Sequence, residues 1–350
     1  MIVLGKDSSD SKASLYPLTQ LRSAWAIRSG ILTLREKWEY FFQTRFLPQE
    51  DGTAHTSSDH SLTLPSNSFP TSTTQRKDVL AGQYESCRVV HYPWQLFQWN
   101  DSSLREDFLL ITKGRTSAPI PSGVQALAPG QIFIEPGAVL SPCLLNAQTG
   151  PIYIGKDAEI MEGALIRGPF ALGEKSCVRM GARIYGATTI GPHCVVGGEI
   201  KNSIFFGYSN KVHDGYLGDS VIGEWCNLGA GTTVSNLKNN ASTIYCWNPV
   251  SKKSVEVGQK CGLIMGDHSR SAIQTSFNSG TLTGIAANIF GSGLTPSFIP
   301  DFSWGQEGAK RYEWEKLVRD LRAWKQLKGQ ELTPPEIALM RSCYEQALST

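Results

Sequence analysis

The sequence lacks the features by which secreted, membrane-bound and zinc-binding proteins are most readily recognised. Its eight cysteines include no C-x-x-C pair, which argues against a zinc site and a disulfide scaffold. There is no uninterrupted apolar run of about 18 residues, and the first residues, MIVLGKDSSDSK, lack the apolar stretch of a signal peptide. A net charge of +2 without a basic run gives no reason to expect a nucleic-acid or membrane partner. We therefore expect a reduced, cytoplasmic protein.

An internal repeat is the main positive feature. Aliphatic residues recur at six-residue spacing, and after a slip of two residues the series continues to Val234. Neither a helix, with period 3.6, nor a strand, with period 2, produces this spacing, whereas a triangular coil with six residues on each face does. We therefore predict a left-handed parallel β-helix from about Ile132 to Gly293. The series comprises Ile154, Ile160, Ile166, Leu172, Val178, Ile184, Ile190 and Val196, then Ile204, Asn210, Tyr216, Ile222, Leu228 and Val234.

Small residues at a second position of the repeat support the same architecture. They lie four residues after the aliphatic ones, where neighbouring faces of a tight coil converge and leave little room. Cys194 and Cys226 belong to this set, so we interpret them as packing residues and not as nucleophiles. The set comprises Ala158, Ala164, Ser176, Ala182, Thr188, Cys194, Ser220, Cys226 and Thr232.

The repeat is interrupted once and is followed by a helical tail. The segment from Asn236 to Glu256 breaks the pattern and is predicted to be a protruding loop or hairpin. In the segment 307–328, apolar residues at helical spacing predict a helix, and Thr333 before Pro334 is typical of a helix start. We interpret this tail as a cap on the solenoid, with a partner-binding helix as the alternative. The helical spacing is that of Leu317, Leu321, Trp324 and Leu327.

The first part of the chain is predicted to be a small α/β domain. Ile2–Leu4 suits a buried strand, the segment 31–42 has helical character, and the segments 89–97 and 108–112 offer further core. Residues 51–74 are rich in Ser, Thr and Pro and predict an exposed loop. The expected division is an α/β domain at 1–125, the β-helix at 126–295 and a helical extension at 296–350.

Three sequence motifs carry a resemblance to one enzyme family. The stretch NSIFFGYSNKVHDGYLGDSVIGEWCNLGAGTTVSNLKNN, residues 202–240, closely resembles the acetyltransferase domain of the bifunctional glucosamine-1-phosphate acetyltransferase and N-acetylglucosamine-1-phosphate uridyltransferase family. CGLIMGDHSRSAI is similar to its archaeal and Bacteroidetes branch, and LYPLTQLRSAWAIRSGILTLREKWE resembles the sugar nucleotidyltransferase domain of the Bacteroidetes-type members.

The resemblance implies a function. It implies transfer of an acetyl group from acetyl-CoA, the co-substrate, to the amine of glucosamine-1-phosphate, on the route to UDP-N-acetylglucosamine and the cell envelope. It also implies a homotrimer with active sites in the clefts between prisms.

The resemblance also implies roles for individual residues. His213 matches the catalytic histidine, and a histidine suits this step because an amine that attacks a thioester must lose a proton near neutral pH. Arg179 and Arg183 are offered as substitutes for the family's phosphate-binding arginine. Sugar or phosphate contacts are implied for Glu199, Lys201, Tyr216 and Asn227, and acetyl-CoA contacts for Ala230 and Asn236. Packing remains an alternative for Tyr216, which falls in an aliphatic position of the repeat. In GDHSRSAIQ, Arg270 and Ala272 replace a lysine and a glycine of the archaeal pattern.

The nucleotidyltransferase half departs from its pattern. Such enzymes hold a triphosphate in a glycine-rich loop followed by a basic residue, but the corresponding LGKDSSDSKASLYPLT keeps only Gly5, with Lys12 as a candidate phosphate contact. No aspartate pair for Mg²⁺ emerges, and Asp101 and Asp107 are interpreted as solvated acids. The domain is also shorter than usual. We therefore expect a reduced or inactive domain, with Mg²⁺ needed only if it is active.

Two other functions fit the same prism. One is a non-catalytic assembly or sugar-nucleotide-binding module. The other is a metalloenzyme of the γ-carbonic anhydrase type, which needs three histidines that converge on zinc. His193, His213 and His268 are available for this, although their spacing does not resemble that family's motifs, and we predict no metal site.

Overall fold

The structure is a computed structural model that describes residues 2–5, 7–46 and 62–348. A left-handed parallel β-helix with three faces forms its centre, as the repeat predicts. Its first strand begins at Gln125 and its last ends at Ile299, so the solenoid extends past the predicted limits at both ends. Among the described residues, no helix is long and apolar enough to cross a membrane.

Each face of the prism is a stack of short parallel strands, one from each coil. Face A contains Ile132–Ile134, Ile152–Ile154, Phe170–Leu172, Thr188–Ile190, the second halves of Glu199–Phe205 and Tyr216–Ile222, then Leu263–Met265, Thr281–Thr283 and Phe298–Ile299. Face B contains Val139–Leu140, Glu159–Ile160, Cys177–Val178, Val195–Val196, Asn210–Lys211, Asn227–Leu228, Arg270–Ser271 and Asn288–Ile289. Face C contains Gln125–Leu127, Leu144–Asn146, Leu165–Arg167, Arg183–Ile184, the first halves of Glu199–Phe205 and Tyr216–Ile222, then Thr233–Val234 and Ser276–Phe277.

Apolar side chains fill most of the interior of the prism. The predicted small residues of the second repeat position are all buried, including the thiols of Cys194 and Cys226. Burial raises the pKa of the Cys194 thiol to about 12, so it stays protonated, as the packing interpretation expects.

The repeat register after Val196 differs from the prediction. The coils shorten there, and the interior residues are Ile200, Phe205, Lys211 and Leu217, before the six-residue spacing resumes at Ile222. The predicted interior positions Ile204, Asn210 and Tyr216 therefore face outward. The prediction for this stretch was wrong because an apolar residue such as Ile204 is equally well buried from outside, by another part of the chain.

The N-terminal part of the chain covers face A. It contains the strands Ile2–Leu4 and Leu62–Leu64, paired in parallel, and Ser68–Phe69 paired with Arg88–Val89, so residues 62–74 are not simply a loop, while 51–61 lie outside the described residues. A short two-stranded ladder joins Arg28–Ser29 to Leu32–Thr33. Apolar side chains of this part share one core with the outward residues Ile204, Val221, Ile264 and Leu282 of face A. The helices are Ser9–Ser14, Leu34–Phe42, Arg76–Leu80, Gln95–Gln98 and Asn100–Thr112, with a 3₁₀ turn at Ala24–Ala26.

The C-terminal helices cover the later coils of face B and the end of the prism. They span Trp314–Gln326 and Pro334–Gln346, and the second begins with the predicted Thr333 cap, completed by Glu336. Leu317 and Leu321 are buried, whereas Leu327 lies beyond the first helix and is exposed. This tail packs on the solenoid, in agreement with the cap interpretation.

The predicted interruption is an antiparallel hairpin. Its strands are Ile244–Asn248 and Lys253–Gly258, and it projects from the coil between faces C and A. Face A and the later coils of face B are covered, whereas no described part of the chain covers face C, which we call the open face of the prism.

Candidate functional site

Arg183, Glu199 and Tyr216 form a row of outward-facing side chains on face C. In the strand register, Glu199 lies opposite Arg183 of the preceding coil and opposite Tyr216 of the following coil. The residue that follows each of the three is buried inside the prism. Arg183 Nε lies 3.8 Å from Glu199 Oε2, and its Nη2 lies 3.9 Å from Asp214 Oδ1. These separations exceed direct hydrogen bonds, so the half-exposed guanidinium keeps N–H groups available for an anionic ligand.

His213 lies beside this row, on the edge where face B turns into face C. We call this the B/C edge; it consists of residues 179–182, 197–198, 212–215 and 229–232. The His213 side chain is exposed, and its carbonyl oxygen accepts a hydrogen bond of 2.9 Å from the Lys211 ammonium. Asp214, the next residue, faces Arg183 at 3.9 Å, so the edge that carries His213 adjoins the row. An imidazole that is open to solvent there can take a proton from an amine bound nearby.

A hydrogen-bond network fixes the Tyr216 end of the row. The amide of Asn236 donates to the Tyr216 hydroxyl at 3.0 Å and to Asp219 Oδ2 at 2.5 Å, and Asn202 donates to Asp219 Oδ1 at 2.7 Å. Burial, and then the Asp219 carboxylate, raise the pKa of Tyr216 to about 12, so the hydroxyl stays neutral. A side chain on Gly218 would collide with this hydroxyl, which explains a glycine at that position.

The remaining predicted residues of the solenoid fall in three places. Lys201 is exposed on face C, opposite Gly218 in the neighbouring strand. Arg179 and Ala230 lie on the B/C edge, and Gly231 donates a backbone hydrogen bond of 3.1 Å to the Asp214 carbonyl. Asn227 instead lies on face B. The structure thus brings most of the predicted residues to face C and its edge.

Face B is occupied by the C-terminal tail around Asn227. Its register neighbours are Asn210, which accepts a hydrogen bond of 2.8 Å from Lys328, and Arg270, whose guanidinium lies 4.8 Å from the centre of the Trp324 ring. Burial lowers the pKa of Arg270 to about 10, and its Nε and Nη2 have no partner among the described residues. The arginine that replaces the archaeal lysine therefore packs against the tail.

Comparisons with known proteins give one family match and several relatives. Residues 6–80 match a family described as sugar nucleotidyl transferase. The bifunctional protein GlmU of Methanocaldococcus jannaschii is 38% identical over 86 residues, which is 25% of this chain and 21% of the relative. A bifunctional sugar-1-phosphate nucleotidylyltransferase/acetyltransferase of Sulfurisphaera tokodaii is 32% identical over 147 residues, 40% of this chain and 35% of the relative. GlmU of Rippkaea orientalis is 32% identical over 135 residues, 33% of this chain and 30% of the relative.

The chain is similar to bifunctional sugar-1-phosphate transferases. The resemblance expected from the sequence is thereby confirmed. The aligned part spans only about a fifth to a third of the length of these relatives.

The N-terminal match is not accompanied by an open phosphate loop in the described residues. The Gly5 amide donates to the Leu64 carbonyl at 2.9 Å, and its own carbonyl accepts from the Trp25 indole at 2.8 Å. Asp7 accepts hydrogen bonds from the Ala24 amide at 3.2 and 3.3 Å. Lys12 is exposed on the first short helix. Gly5 and Asp7 are engaged within the protein, and Lys12 is a cation. These groups therefore do not provide the ligand set of a Mg²⁺ site, and we assign no nucleotidyl-transfer step to them.

One acidic residue of this region was assigned wrongly from the sequence. Asp107 is 2% exposed, forms an ion pair of 2.5 Å with Lys37 and accepts hydrogen bonds from the Ile31 and Leu32 amides. It is a buried structural carboxylate and not a solvated acid. Asp101 is half exposed and pairs with Arg105, as a surface acid does.

The three histidines of the carbonic anhydrase alternative do not converge. His193 and His268 lie in one column of stacked rings at the edge between faces A and B, separated by Tyr208 and Trp225. His213 lies on a different edge of the prism. This geometry does not support a shared metal site.

Proposed function

We propose that this protein transfers an acetyl group from acetyl-CoA to the amine of glucosamine-1-phosphate or a closely similar amino-sugar phosphate. The observation that carries the proposal is the row of Arg183, Glu199 and Tyr216 on the open face C, with His213 on the adjoining edge. The similarity to bifunctional nucleotidylyltransferase/acetyltransferases supports the same chemistry.

In the proposed reaction each group has one task. Arg183, with Lys201 and Arg179, binds the sugar phosphate, because these side chains are exposed cations. Glu199 and the neutral Tyr216 hydroxyl bind the sugar hydroxyls. Asn227 lies on face B beside residues that the C-terminal tail covers, so the sugar contact implied for it by the resemblance is not part of this proposed site. His213 takes the proton as the amine attacks the thioester carbon; the carbon–sulfur bond then breaks and the CoA thiolate leaves. Ala230 and Asn236 border the acetyl-CoA side.

A trimer and a cytoplasmic location are part of the proposal. Leu165, on face C, is 50% exposed, and Tyr185, beside face C, is 41% exposed. Exposed apolar side chains of this kind support a trimer, in which a second prism would cover them. The cytoplasmic location is proposed because acetyl-CoA is an intracellular substrate.

The region near Gly5 is proposed to be a reduced nucleotidyltransferase that needs Mg²⁺ only if it retains activity.

The test is an acetyl-transfer assay with acetyl-CoA and glucosamine-1-phosphate, in which CoA release and the mass of the sugar product are measured. We expect N-acetylglucosamine-1-phosphate, and we expect His213→Ala to lose about a hundredfold or more of kcat. His193→Ala is the matched control, because this histidine lies on another edge. Wild-type turnover in His213→Ala contradicts the assigned role, and no product with any amino-sugar phosphate contradicts the function. UTP and Mg²⁺ added to the same assay test the N-terminal region through formation of UDP-N-acetylglucosamine.

A further inference from the structure

Lys211 occupies an interior position of the prism that the fold would otherwise fill with an aliphatic residue. Its register partner in the preceding coil is Val196, which follows Val178 in the same interior row. Lys211 is 1% exposed. Burial of an ammonium group is costly unless it is paired, and Lys211 makes no ion pair of 4 Å or less among the described residues.

The ammonium group is directed at the main chain of the B/C edge. It donates hydrogen bonds of 2.9 Å to the carbonyl oxygen of His213 and 3.1 Å to that of Gly197. Gly198, at a φ of +70°, leaves the space for it, because a Cβ there would lie 2.8 Å from the ammonium nitrogen and 2.7 Å from the His213 oxygen. Lys211 therefore connects two successive turns of the edge that carries His213.

We propose that Lys211 is a positioning residue for acetyl transfer, whose buried ammonium holds the turn at His213 so that the imidazole faces the sugar amine on face C. This inference rests on the proposed function. It explains a buried charge whose contacts are confined to that turn. A charged donor bonds a carbonyl about twice as strongly as a neutral one, so the ammonium is better suited to this task than a neutral amine.

The protonation state of Lys211 adds a pH dependence. Its pKa is lowered to about 8, chiefly by burial and in part by Arg183, while Asp214 and Glu199 act in the opposite direction. Loss of the charge as the pH rises through about 8 weakens both hydrogen bonds. We therefore expect kcat of the wild type to fall there, in a limb that is missing from the Lys211→Met profile.

The test compares Lys211→Met, which has similar length and no donor, with Leu228→Met, a matched change inside face B that leaves the His213 turn alone. We expect Lys211→Met to unfold at an equal or higher temperature, with kcat reduced about tenfold to a hundredfold and KM changed little. A merely structural role predicts instead that Tm and kcat fall together. Wild-type kcat in Lys211→Met, or a kcat loss matched by a fall in Tm, overturns the proposal.

A second measurement does not depend on turnover. The chain has six histidines, so [¹⁵N]histidine labelling gives a simple amide spectrum in which His213 is assigned from its alanine variant. We expect the His213 amide signal to shift or broaden in Lys211→Met while the signals of His193 and His268 stay in place. An unchanged His213 signal overturns the inference even if the wild type is active. If no amino-sugar phosphate turns over but the signal changes, Lys211 holds the His213 turn and it is the proposed function that fails.

Discussion

The side-chain amide of Asn236 lies 3.0 Å from the hydroxyl of Tyr216, to which it donates a hydrogen bond. The second N–H of the same amide is bonded to Asp219, which is 4% exposed. Since the tyrosine oxygen accepts from Asn236, its own proton is free to point over face C. A residue of the hairpin segment thereby orients a hydroxyl that the proposed reaction uses for sugar binding.

This arrangement predicts different outcomes for two substitutions. Tyr216→Phe removes only the hydroxyl, so we expect a rise of about fivefold to tenfold in KM for the sugar phosphate, which corresponds to about 1 kcal/mol, and little change in Tm. Asn236→Ala removes the donor to Tyr216 and also leaves the buried Asp219 with one donor fewer. We therefore expect a similar rise in KM and, in addition, a free energy of unfolding that is lower by about 1–3 kcal/mol. Steady-state kinetics and urea unfolding measure the two effects. Tyr245→Phe, on the exposed hairpin, is the control, and an unchanged KM in Tyr216→Phe would contradict the assignment.

A largely buried arginine of the N-terminal region forms two ion pairs with the solenoid. Arg22 Nη1 lies 3.0 Å from Glu224 and Nη2 lies 2.6 Å from Asp267, whose side chain is 1% exposed. Burial raises the pKa of Asp267, while the Arg22 guanidinium opposes that rise. Arg22 thus supplies the cationic partner of Asp267, a carboxylate that is buried in the folded chain.

We expect Arg22→Met to lower the free energy of unfolding by about 3–5 kcal/mol, because Asp267 then stays buried without a counter-charge. Urea unfolding measures this. Arg45→Met is the comparison, since Arg45 is 93% exposed and its contact with Glu39 is 4.0 Å long, so a change below about 1 kcal/mol is expected. The double substitution Arg22→Met with Asp267→Asn should recover much of the loss, and a single variant as stable as the wild type would refute the explanation.

The sequence predicts those parts of the molecule that are set by short-range constraints. The six-residue spacing, the small residues at convergent corners, the hairpin after Asn236 and the Thr333 cap all follow from local geometry. The motif around His213 led to the residues of the row on face C. Arg183 lies next to Glu199 in this row because successive coils stack on one another.

The features that depend on contacts between distant segments were not predictable in this way. Ile204 faces outward and is buried by the N-terminal region. From the sequence alone it therefore looked like an interior residue, whereas the interior residue is Phe205. Lys211 was missed because a lysine in a repeat reads as a surface charge. Asp107 was misjudged because its partner Lys37 is 70 residues away in the sequence.

The carboxyl group of Asp301 gives the protein a predictable pH dependence of stability. Its Oδ1 accepts hydrogen bonds of 2.7 Å from the Ile285 amide and 2.8 Å from the Tyr16 hydroxyl. Burial raises the pKa of Asp301 from 3.8 to about 6, so the folded state binds more protons than the unfolded state between these values. Its contribution to stability is therefore present in acid and is lost as the pH rises through about 6.

Replacement of Asp301 by asparagine tests this sign. Asn keeps an acceptor oxygen for Ile285 and Tyr16 but carries no charge, so above about pH 6 we expect Asp301→Asn to be more stable than the wild type by roughly 1–3 kcal/mol. The difference should shrink as the pH falls below about 4, where the wild-type carboxyl is protonated in both states. Urea unfolding at pH 4, 6 and 8 measures it, with Asp301→Ala as the variant that loses the acceptor at every pH. A wild type that is more stable than Asp301→Asn at pH 8 would mean that the ionised carboxylate is stabilising, contrary to the cost that its burial implies.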